Sequence, residues 1–322
     1  MAPKEFEREG KSDPTTLVIG CGFIGSNVVE ALLQRGEIPL VFSRSRPAEK
    51  VVALLGEENL RLGDASNKEA VEQALEGISR VIFCAGGLLP AASERDPGRD
   101  RELTLGPVSA TLAALARHPG VRLTYLSSGG TIYGEPARMP VDEDDPTEPI
   151  SAYGRLHLEC EHLIARAMRE TGLGARVLRC STVYGEHQRP DRGQGAVVTF
   201  LHRIESEQPI DLYGGGSTIR DYIYVGDVAR AVVDTAAIAG GPSVLNVGSG
   251  QGTSLLELLR LAEAEVGHRA RVVEHPKRNF EIHQIVLDTT RLRELIKFEP
   301  TPIEAGIART LRWLESTSAG TA

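Results

Sequence analysis

The fold of this chain is decided by the stretch Gly20-Cys21-Gly22-Phe23-Ile24-Gly25, whose glycines follow the pattern GxGxxG. The apolar run 15–19 before it predicts a strand, and the sequence 25–35 after it predicts a helix. Between a strand and a helix, the glycines permit a tight turn, close approach of a pyrophosphate and packing of helix on strand, while the helix N-terminus faces the anion. The predicted cofactor-binding residues of this turn are Gly20, Gly22, Phe23, Ile24 and Gly25.

Short apolar runs alternate with amphipathic helical patterns through the first two thirds of the chain. The predicted strands are 15–19, 39–43, 80–84, 122–127 and 175–180, and the predicted helices include 25–35, 68–75, 108–117 and 151–169. Apolar strands of about five residues, separated by helices, are typical of a parallel sheet covered on both faces. The predicted fold class is therefore α/β, a doubly wound parallel-sheet Rossmann domain with a smaller C-terminal substrate-binding lobe.

The regular alternation of short strands and helices ends at about residue 185, where a polar loop covers 186–195. We predict a disordered tail at 1–14 and a dinucleotide-binding domain at 15–185, to which 227–250 returns. Residues 186–322 then form mainly the second lobe.

The composition of the chain disfavours several classes of protein. The chain has 322 residues, 41% of them apolar, and a net charge of −8, whereas a nucleic-acid-binding protein would present a basic face. It has no run of 18 apolar residues and no apolar segment near its start, which predicts no membrane span, no secretory signal and a cytoplasmic location. The four cysteines form no CxxC pair, so we expect reduced, mostly buried thiols and no metal site.

The end of the second predicted strand bears on the choice of cofactor. NAD-binding proteins carry an acid there, which holds the ribose hydroxyls, but this chain has Ser43 followed by Arg44 and Arg46. A guanidinium pairs with the extra phosphate of NADP, so NADP(H) is favoured over NAD(H). The alternative is that both arginines are simply solvated. Further predicted cofactor contacts are Asp64 and Ala65, which follow Leu62-Gly63, and Ala85 and Gly86, which follow the predicted strand 80–84.

Several motifs occur together along the chain. They are GCGFIG at 20–25, SSGGTIYG at 127–134, PISAYG at 149–154, LRCSTVYG at 178–185 and YGGGSTIRDYIYVGDV at 213–228. In this combination the chain resembles the extended short-chain dehydrogenase/reductases that act on nucleotide sugars, among them UDP-glucose 4-epimerases, 4-ketoreductases and dehydratases. The likeness covers nearly all of the chain after the tail.

The resemblance implies a Ser/Thr–Tyr–Lys active site with the lysine four residues after the tyrosine. Tyr153 matches the tyrosine, which passes a proton to or from the sugar oxygen. The position one helical turn later holds His157 in place of lysine. A neutral imidazole cannot lower the pKa of the phenol as an ammonium does, although it can still hydrogen-bond the ribose of the cofactor.

The hydroxyl position of the family motif, four residues before Tyr133, is Gly129. Ser128 and Thr131 are the neighbouring hydroxyls that could orient the substrate oxygen, and the sequence does not choose between them. Ser128 equally fits a residue that only bonds the backbone at the end of a strand.

The resemblance also implies how a nucleotide sugar is held. Arg220 matches an arginine that contacts the nucleotide diphosphate, and Arg278 is predicted to be the second, because two guanidinium groups suit a diphosphate. Thr182 lies where relatives often carry asparagine. The family further implies a homodimer, formed through helices that include 151–169.

Three hypotheses on function follow. Neutral Tyr153 can donate a proton, which suits reduction, whereas oxidation of a sugar alcohol needs a base. With the strand end that favours NADP, this predicts an NADPH-dependent 4-ketoreductase of a nucleotide-linked 4-keto-(6-deoxy)hexose. The alternative is a UDP-hexose 4-epimerase with bound NAD, and the third is a catalytically idle, cofactor-binding sensor.

Overall fold

The computed structural model describes residues 15–192, 195–276 and 282–318. The predicted tail at 1–14 and the predicted diphosphate ligand Arg278 therefore lie outside the described residues.

The described residues form strands and helices in the following order. The strands are β1 (Thr16–Ile19), β2 (Leu40–Ser43), β3 (Leu60–Leu62), β4 (Arg80–Phe83), β5 (Arg122–Ser128), β6 (Ala175–Cys180), β7 (Thr182–Tyr184), β8 (Ile210–Tyr213), β9 (Ile219–Tyr224), β10 (Val244–Val247), β11 (Gly252–Ser254), β12 (Val272–His275) and β13 (Gln284–Ile285). The helices are α1 (Phe23–Gln34), α2 (Glu49–Leu55), α3 (Lys68–Ala74), α4 (Pro90–Arg95), α5 (Pro97–Leu115), α6 (Gly129–Ile132), α7 (Ala152–Thr171), α8 (Ala196–Glu205), α9 (Val225–Ala237), α10 (Leu255–Val266), α11 (Thr290–Leu295) and α12 (Ile303–Ser318).

Seven parallel strands form the main sheet in the order β10-β6-β5-β4-β1-β2-β3. Val18 and Ile82 pack in one core with α1 and α9, and Leu17 and Phe83 pack in a second core with α3, α5 and α7. Helices thus cover both faces of the sheet, and the predicted doubly wound α/β fold is confirmed. The strand order reverses between β1 and β4, and ligands of such sheets bind at the carboxyl ends of strands beside such a point.

Smaller sheets belong to the second half of the chain. Strands β11, β9 and β13 pair in that order, and β7 pairs with the last residues of β9, 222–224. Strand β8 pairs with β12. A third core joins α8, α10 and α12 to β9 through residues such as Phe200, Tyr222, Leu258 and Leu311. Strand β10 returns to the main sheet beside β6. The division of the chain into lobes at residue 185 stays a prediction.

Several predicted boundaries were wrong, most of all in α5. This helix begins at Pro97, where Asp96 accepts a hydrogen bond from the backbone N–H of Arg99, and not at residue 108. Its first turns bury the polar residues Asp100 and Thr104, so they lack the apolar periodicity that predicts a helix. At the other end of the chain, α12 continues to Ser318 through the start of the predicted C-terminal tail.

Two expectations drawn from composition can be compared with the described residues. Within these residues no helix combines the length and the apolar character that spanning a membrane requires. The four cysteines are free thiols; Cys21, Cys160 and Cys180 are buried, and Cys84 is half-buried. No group of three or more potential metal-ligating side chains occurs in this part of the chain.

A buried polar network ties α7 to the centre of the sheet. The guanidinium of Arg179 on β6 forms an ion pair with Glu161 of α7, Nη2 to Oε2 at 2.8 Å, and the hydroxyl of Ser127 donates to Glu161 at 2.5 Å. Arg179 also donates to the hydroxyl of Tyr133, which in turn donates to Asn246 of β10. The network therefore fixes the helix that carries Tyr153 against β5, β6 and β10.

We expect Glu161→Gln to lower the free energy of unfolding by about 3 kcal/mol or more, because Arg179 would keep its buried charge without a counter-charge. Glu159→Gln on the same helix is the matched control, since the partner of Glu159 is the exposed Arg101 and solvent screens that pair. Urea unfolding followed by circular dichroism measures both variants. Equal losses of stability would contradict a dominant role of the buried pair.

Candidate active site

The glycine-rich turn between β1 and α1 is packed on one side and open on the other. Gly20 has φ +88°, and a Cβ atom there would lie 2.6 Å from the backbone N and Cα of Ala85. A Cβ atom on Gly25 would lie 2.0 Å from the carbonyl oxygen of Gly20, whereas one on Gly22 or Gly86 would meet no atom within 4 Å.

The N-terminus of α1 lies at the open side of this turn. The N-cap residue is Gly22, and no side chain caps the first turn, in which Phe23 and Ile24 lie. The backbone N–H groups at a helix start attract phosphate. The open side, which a Cβ on Gly22 would fill, therefore fits the pyrophosphate of a dinucleotide, as the sequence predicts.

The carboxyl ends of β2 and β3 lie beside the turn. Ser43 is buried, and its carbonyl oxygen accepts a hydrogen bond from the N–H of Gly63 at 3.0 Å. Arg44 is exposed, whereas Arg46 is engaged by ion pairs with Glu57 and Glu49. Of the two arginines that follow Ser43, Arg44 is therefore the one whose guanidinium is available to a phosphate.

Asp64 follows β3 and shapes the loop that it begins. Its Oδ1 accepts hydrogen bonds from the N–H and the hydroxyl of Ser66, at 2.9 and 2.8 Å. These bonds, assisted by the charge of Arg44, hold the pKa of Asp64 below its usual range. Asp64 is exposed and Ala65 is buried, so the carboxylate is the group of this pair that faces solvent.

The segment after β5 brings two predicted hydroxyl residues together. Thr131 donates a hydrogen bond to the hydroxyl oxygen of Ser128 at 2.9 Å, and both side chains are half-buried. A Cβ atom on Gly129 would lie 2.7 Å from Leu287 Cδ1 and 2.8 Å from the carbonyl oxygen of Arg179. Position 129 therefore has no room for a hydroxyl side chain, and Ser128 and Thr131 act as one hydrogen-bonded unit.

The start of α7 packs against this segment. A Cβ atom on Gly154 would lie 2.8 Å from the carbonyl oxygen of Thr131, and one on Gly130 would lie 3.8 Å from Thr182 Oγ1. The structure thus brings Tyr153, Thr131 and Thr182 into one neighbourhood at the carboxyl ends of β5 and β6, where the family motifs predict them.

His157 lies beside Tyr153, with the two ring centroids 4.4 Å apart. It is buried, and its Nδ1 is 3.3 Å from the hydroxyl of Tyr125, which fixes the imidazole ring. Burial lowers the pKa of His157 to about 4, despite an opposing effect of the Asp100 carboxylate. The imidazole is therefore neutral at pH 7 and does not supply the positive charge of the family lysine.

The phenol of Tyr153 is correspondingly held in its protonated form. Burial raises the pKa of Tyr153, and the negative charge of Asp100 raises it further. Both effects oppose phenolate, since each disfavours a negative charge on the oxygen. The site can therefore donate a proton from Tyr153 more readily than it can accept one.

Asp100 is the residue near this site that the sequence did not reveal. Its Oδ1 accepts hydrogen bonds from the N–H of Leu88 at 2.7 Å and from the hydroxyl of Thr104 at 3.1 Å. The side chain lies against Gly87, in the loop that follows β4. The spacing of Asp100 and Thr104, four residues apart, is compatible with a hydrogen bond on a helix. Such pairs are common on solvated helices, so the spacing did not single out Asp100.

The predicted substrate residues are only partly described. Arg220 lies on β9, between β11 and β13, and its Nη1 donates to the carbonyl oxygens of Ile219 and His283, at 2.9 and 3.4 Å. Thr182 begins β7, which pairs with β9. The contacts of Arg278 lie outside the described residues, so the diphosphate site stays a prediction.

A doubly wound sheet with this turn and this tyrosine helix defines a short-chain dehydrogenase/reductase, and comparisons with known proteins agree. The sequence model of the NAD dependent epimerase/dehydratase family matches residues 16–248. The chain therefore belongs to this family and is an NAD(P)-dependent enzyme of the nucleotide-sugar class, which confirms the resemblance predicted from its motifs.

Individual relatives carry two different activities. The chain is 33% identical to UDP-glucose 4-epimerase of Mycolicibacterium smegmatis, over 94% of this chain and 99% of that one. It is 27% identical to dTDP-4-dehydro-6-deoxyglucose reductase of Escherichia coli, over 91% and 95%. Among solved structures, UDP-glucose 4-epimerase of Thermus thermophilus in complex with NAD superposes with a TM-score of 0.84 at 30% identity, covering 93% of this chain and 98% of that one.

We expect Gly22→Val to abolish dinucleotide binding while leaving the melting temperature nearly unchanged, because its side chain would fill only the open side of the turn. Gly25→Val is the contrasting variant, since its side chain would collide with the carbonyl of Gly20 and destabilise the fold as well. NADPH fluorescence measures binding, and thermal unfolding measures stability. Retained binding in Gly22→Val would show that the pyrophosphate lies elsewhere.

Proposed function

We propose that this enzyme reduces a nucleotide-linked 4-keto-(6-deoxy)hexose with NADPH. The observation that carries the proposal is the environment of Tyr153, in which His157 provides no positive charge and the pKa of the phenol is raised by burial and by Asp100. Reduction of a ketone needs a proton donor at the carbonyl oxygen, and a neutral phenol is one. The coarser statement, a nucleotide-sugar enzyme of the epimerase/dehydratase family, does not depend on this proposal.

Two side chains act on the carbonyl oxygen in the proposed reduction. Bound NADPH supplies the hydride that reaches the carbonyl carbon, and Tyr153 gives its proton to the carbonyl oxygen. The Ser128 hydroxyl accepts the Thr131 hydrogen bond, so its own hydrogen is free to donate to the same oxygen. Two donors at that oxygen stabilise the negative charge that develops as the carbonyl is reduced.

His157 has a supporting role in this proposal. Its Nδ1 accepts from the hydroxyl of Tyr125 when its proton lies on Nε2, which leaves an N–H for a hydroxyl of the cofactor ribose. The imidazole thus replaces the lysine as a hydrogen-bond donor, but not as a source of positive charge.

The residues after β2 support NADPH as the cofactor. Ser43 occupies the position at which an acid would repel an extra phosphate, and the exposed Arg44 is available to pair with it. On the substrate side we propose Arg220 and Arg278 as ligands of the diphosphate and Thr182 as part of the sugar pocket. The cytoplasmic location and a homodimer formed through α7 belong to the same proposal.

A second candidate is a nucleotide-sugar 4-epimerase that retains NAD. It is favoured by the names of relatives, since the proteins of Mycolicibacterium smegmatis and Thermus thermophilus described above are UDP-glucose 4-epimerases. Such an enzyme first removes a proton from the sugar hydroxyl, which requires a base. The raised pKa of Tyr153 disfavours that step, so reduction is the better supported function.

The deciding experiment supplies purified protein with a dTDP- or UDP-linked 4-keto-6-deoxyhexose and follows NADPH absorbance. We expect one NADPH consumed per ketone reduced, and a loss of at least a hundredfold in kcat for Tyr153→Phe, which lacks the proton donor. Epimer exchange without net consumption of NADPH, together with NAD that co-purifies, would establish the epimerase instead. Cofactor binding with neither reaction would support the idle sensor.

We expect Arg44→Ala to weaken NADPH binding roughly tenfold while leaving NADH binding nearly unchanged, because the guanidinium would contact only the extra phosphate. Arg46→Ala is the matched control, since Arg46 is already engaged by Glu57 and its loss should not discriminate between the two cofactors. Fluorescence titration gives the four Kd values. Equal changes for NADPH and NADH in Arg44→Ala would exclude Arg44 as the phosphate ligand.

A further inference from the structure

Asp100 is a buried acid that the catalytic scheme above does not use. Its side chain is 1% exposed, and its Oδ1 accepts from Leu88 N–H and Thr104 Oγ1. Its Oδ2 is buried and accepts no hydrogen bond within the described residues. An unpaired buried carboxylate oxygen costs stability, and such groups concentrate where function requires them.

Contacts place Asp100 beside the loop that follows β4, because its Oδ1 lies against Gly87 and accepts from Leu88 N–H, directly after the predicted cofactor contacts Ala85 and Gly86. The carboxylate raises the pKa values of Tyr153, His157 and Cys160, although burial dominates in each case. These three residues are spaced four and three apart, so they share one face of α7. The ion pair of Arg101 with Glu159 joins α5 to α7 directly next to Asp100, so Asp100 lies near the part of α7 that carries the proton donor.

The other titratable groups around that face are either uncharged at neutral pH or paired with an opposite charge. Burial raises the pKa of Cys160 to about 11 and that of Cys180 to about 12, and it raises the pKa of Tyr125 well above its usual value. His157 is neutral, as described above. The guanidinium of Arg179 on β6 is balanced by Glu161. Arg101 on α5 is balanced by Glu159 on α7. The surroundings of the Asp100 carboxylate thus consist of neutral groups and balanced ion pairs.

The chemistry of the proposed function places the nicotinamide near the same face. Proton and hydride reach the adjacent oxygen and carbon of a single carbonyl, so the Tyr153 hydroxyl and the nicotinamide ring must both contact that carbonyl. The oxidised nicotinamide carries a positive charge, whereas the reduced ring is neutral. A fixed negative charge near the ring therefore distinguishes between the two forms.

We propose that Asp100, through its buried and unpaired carboxylate, stabilises the oxidised form of the bound dinucleotide relative to the reduced form. The bound reduced cofactor is then a stronger hydride donor, which favours ketone reduction. The family lysine, a cation at the position of His157, would act in the opposite direction. This inference rests on the proposed function and specifies which residue sets the direction of the reaction.

Asp100→Asn tests this role, because the amide oxygen keeps an acceptor for Leu88 and Thr104 while the charge is removed. We expect its Kd for NADP⁺ to rise roughly tenfold or more while its Kd for NADPH stays nearly constant, because at an effective dielectric constant of about 20 a unit charge accounts for tenfold at about 12 Å and for more at shorter distances. Calorimetry measures NADP⁺ binding and fluorescence measures NADPH binding. NAD⁺ and NADH are titrated in parallel. Asp100→Ser provides a second neutral variant if the amide is not accommodated.

Asp96→Asn is the matched control, since it removes one negative charge from the exposed start of the same helix and keeps a good N-cap residue. Its ratio of Kd values should equal that of the wild type. Equal weakening of both forms in Asp100→Asn would reveal a merely structural role and overturn the inference, and so would an unchanged ratio. Wild-type protein that binds neither form of either dinucleotide would overturn the proposed function as well.

Discussion

The approach of the glycine turn to the end of β4 is the constraint on which the rest of the structure depends. At Gly20 the backbone passes so close to Ala85 that any side chain would collide with it, and Gly25 closes on the carbonyl of Gly20 in the same way. These contacts place the N-terminus of α1 beside the point at which the strand order reverses. The cofactor cleft, the loop that follows β4 and the tyrosine helix are all positioned relative to that point.

A second layer of organisation concerns charge. In the part of the chain that the structure describes, the helix that carries Tyr153 rests on the Glu161–Arg179 ion pair, in which each charge is balanced. The face of the same helix that carries Tyr153 has neutral His157 at the position where the family resemblance implies a lysine, and the charge of Asp100 raises the pKa of Tyr153 further. The fold of the family is thus present, while no positive charge of His157 favours the phenolate.

The sequence was sufficient to predict the main sheet and the glycine turn, because the spacing of glycines and the apolar runs of strands are local patterns. It was insufficient where the decisive fact is the burial of a polar residue or a contact between particular side chains. The early start of α5 was missed since Asp100 and Thr104 are buried polar residues that break the apolar pattern. The sequence could not choose between Ser128 and Thr131, because it does not show that Thr131 donates a hydrogen bond to the hydroxyl of Ser128. Position 129 likewise showed a missing hydroxyl, but not that Leu287 and Arg179 leave no room for one.

Relatives with two different activities share this fold, so overall similarity alone does not choose the reaction. An epimerase must first oxidise its sugar and therefore needs Tyr153 as a base, whereas a reductase needs the same phenol as an acid. The free energy that separates these roles depends on the few charges around the phenol, at about 1.4 kcal/mol for each pKa unit. The neutral His157, in place of the lysine that the family resemblance implies, and the carboxylate of Asp100 both favour the acid. Under the proposed function, these two side chains set the direction of the reaction without a change of fold.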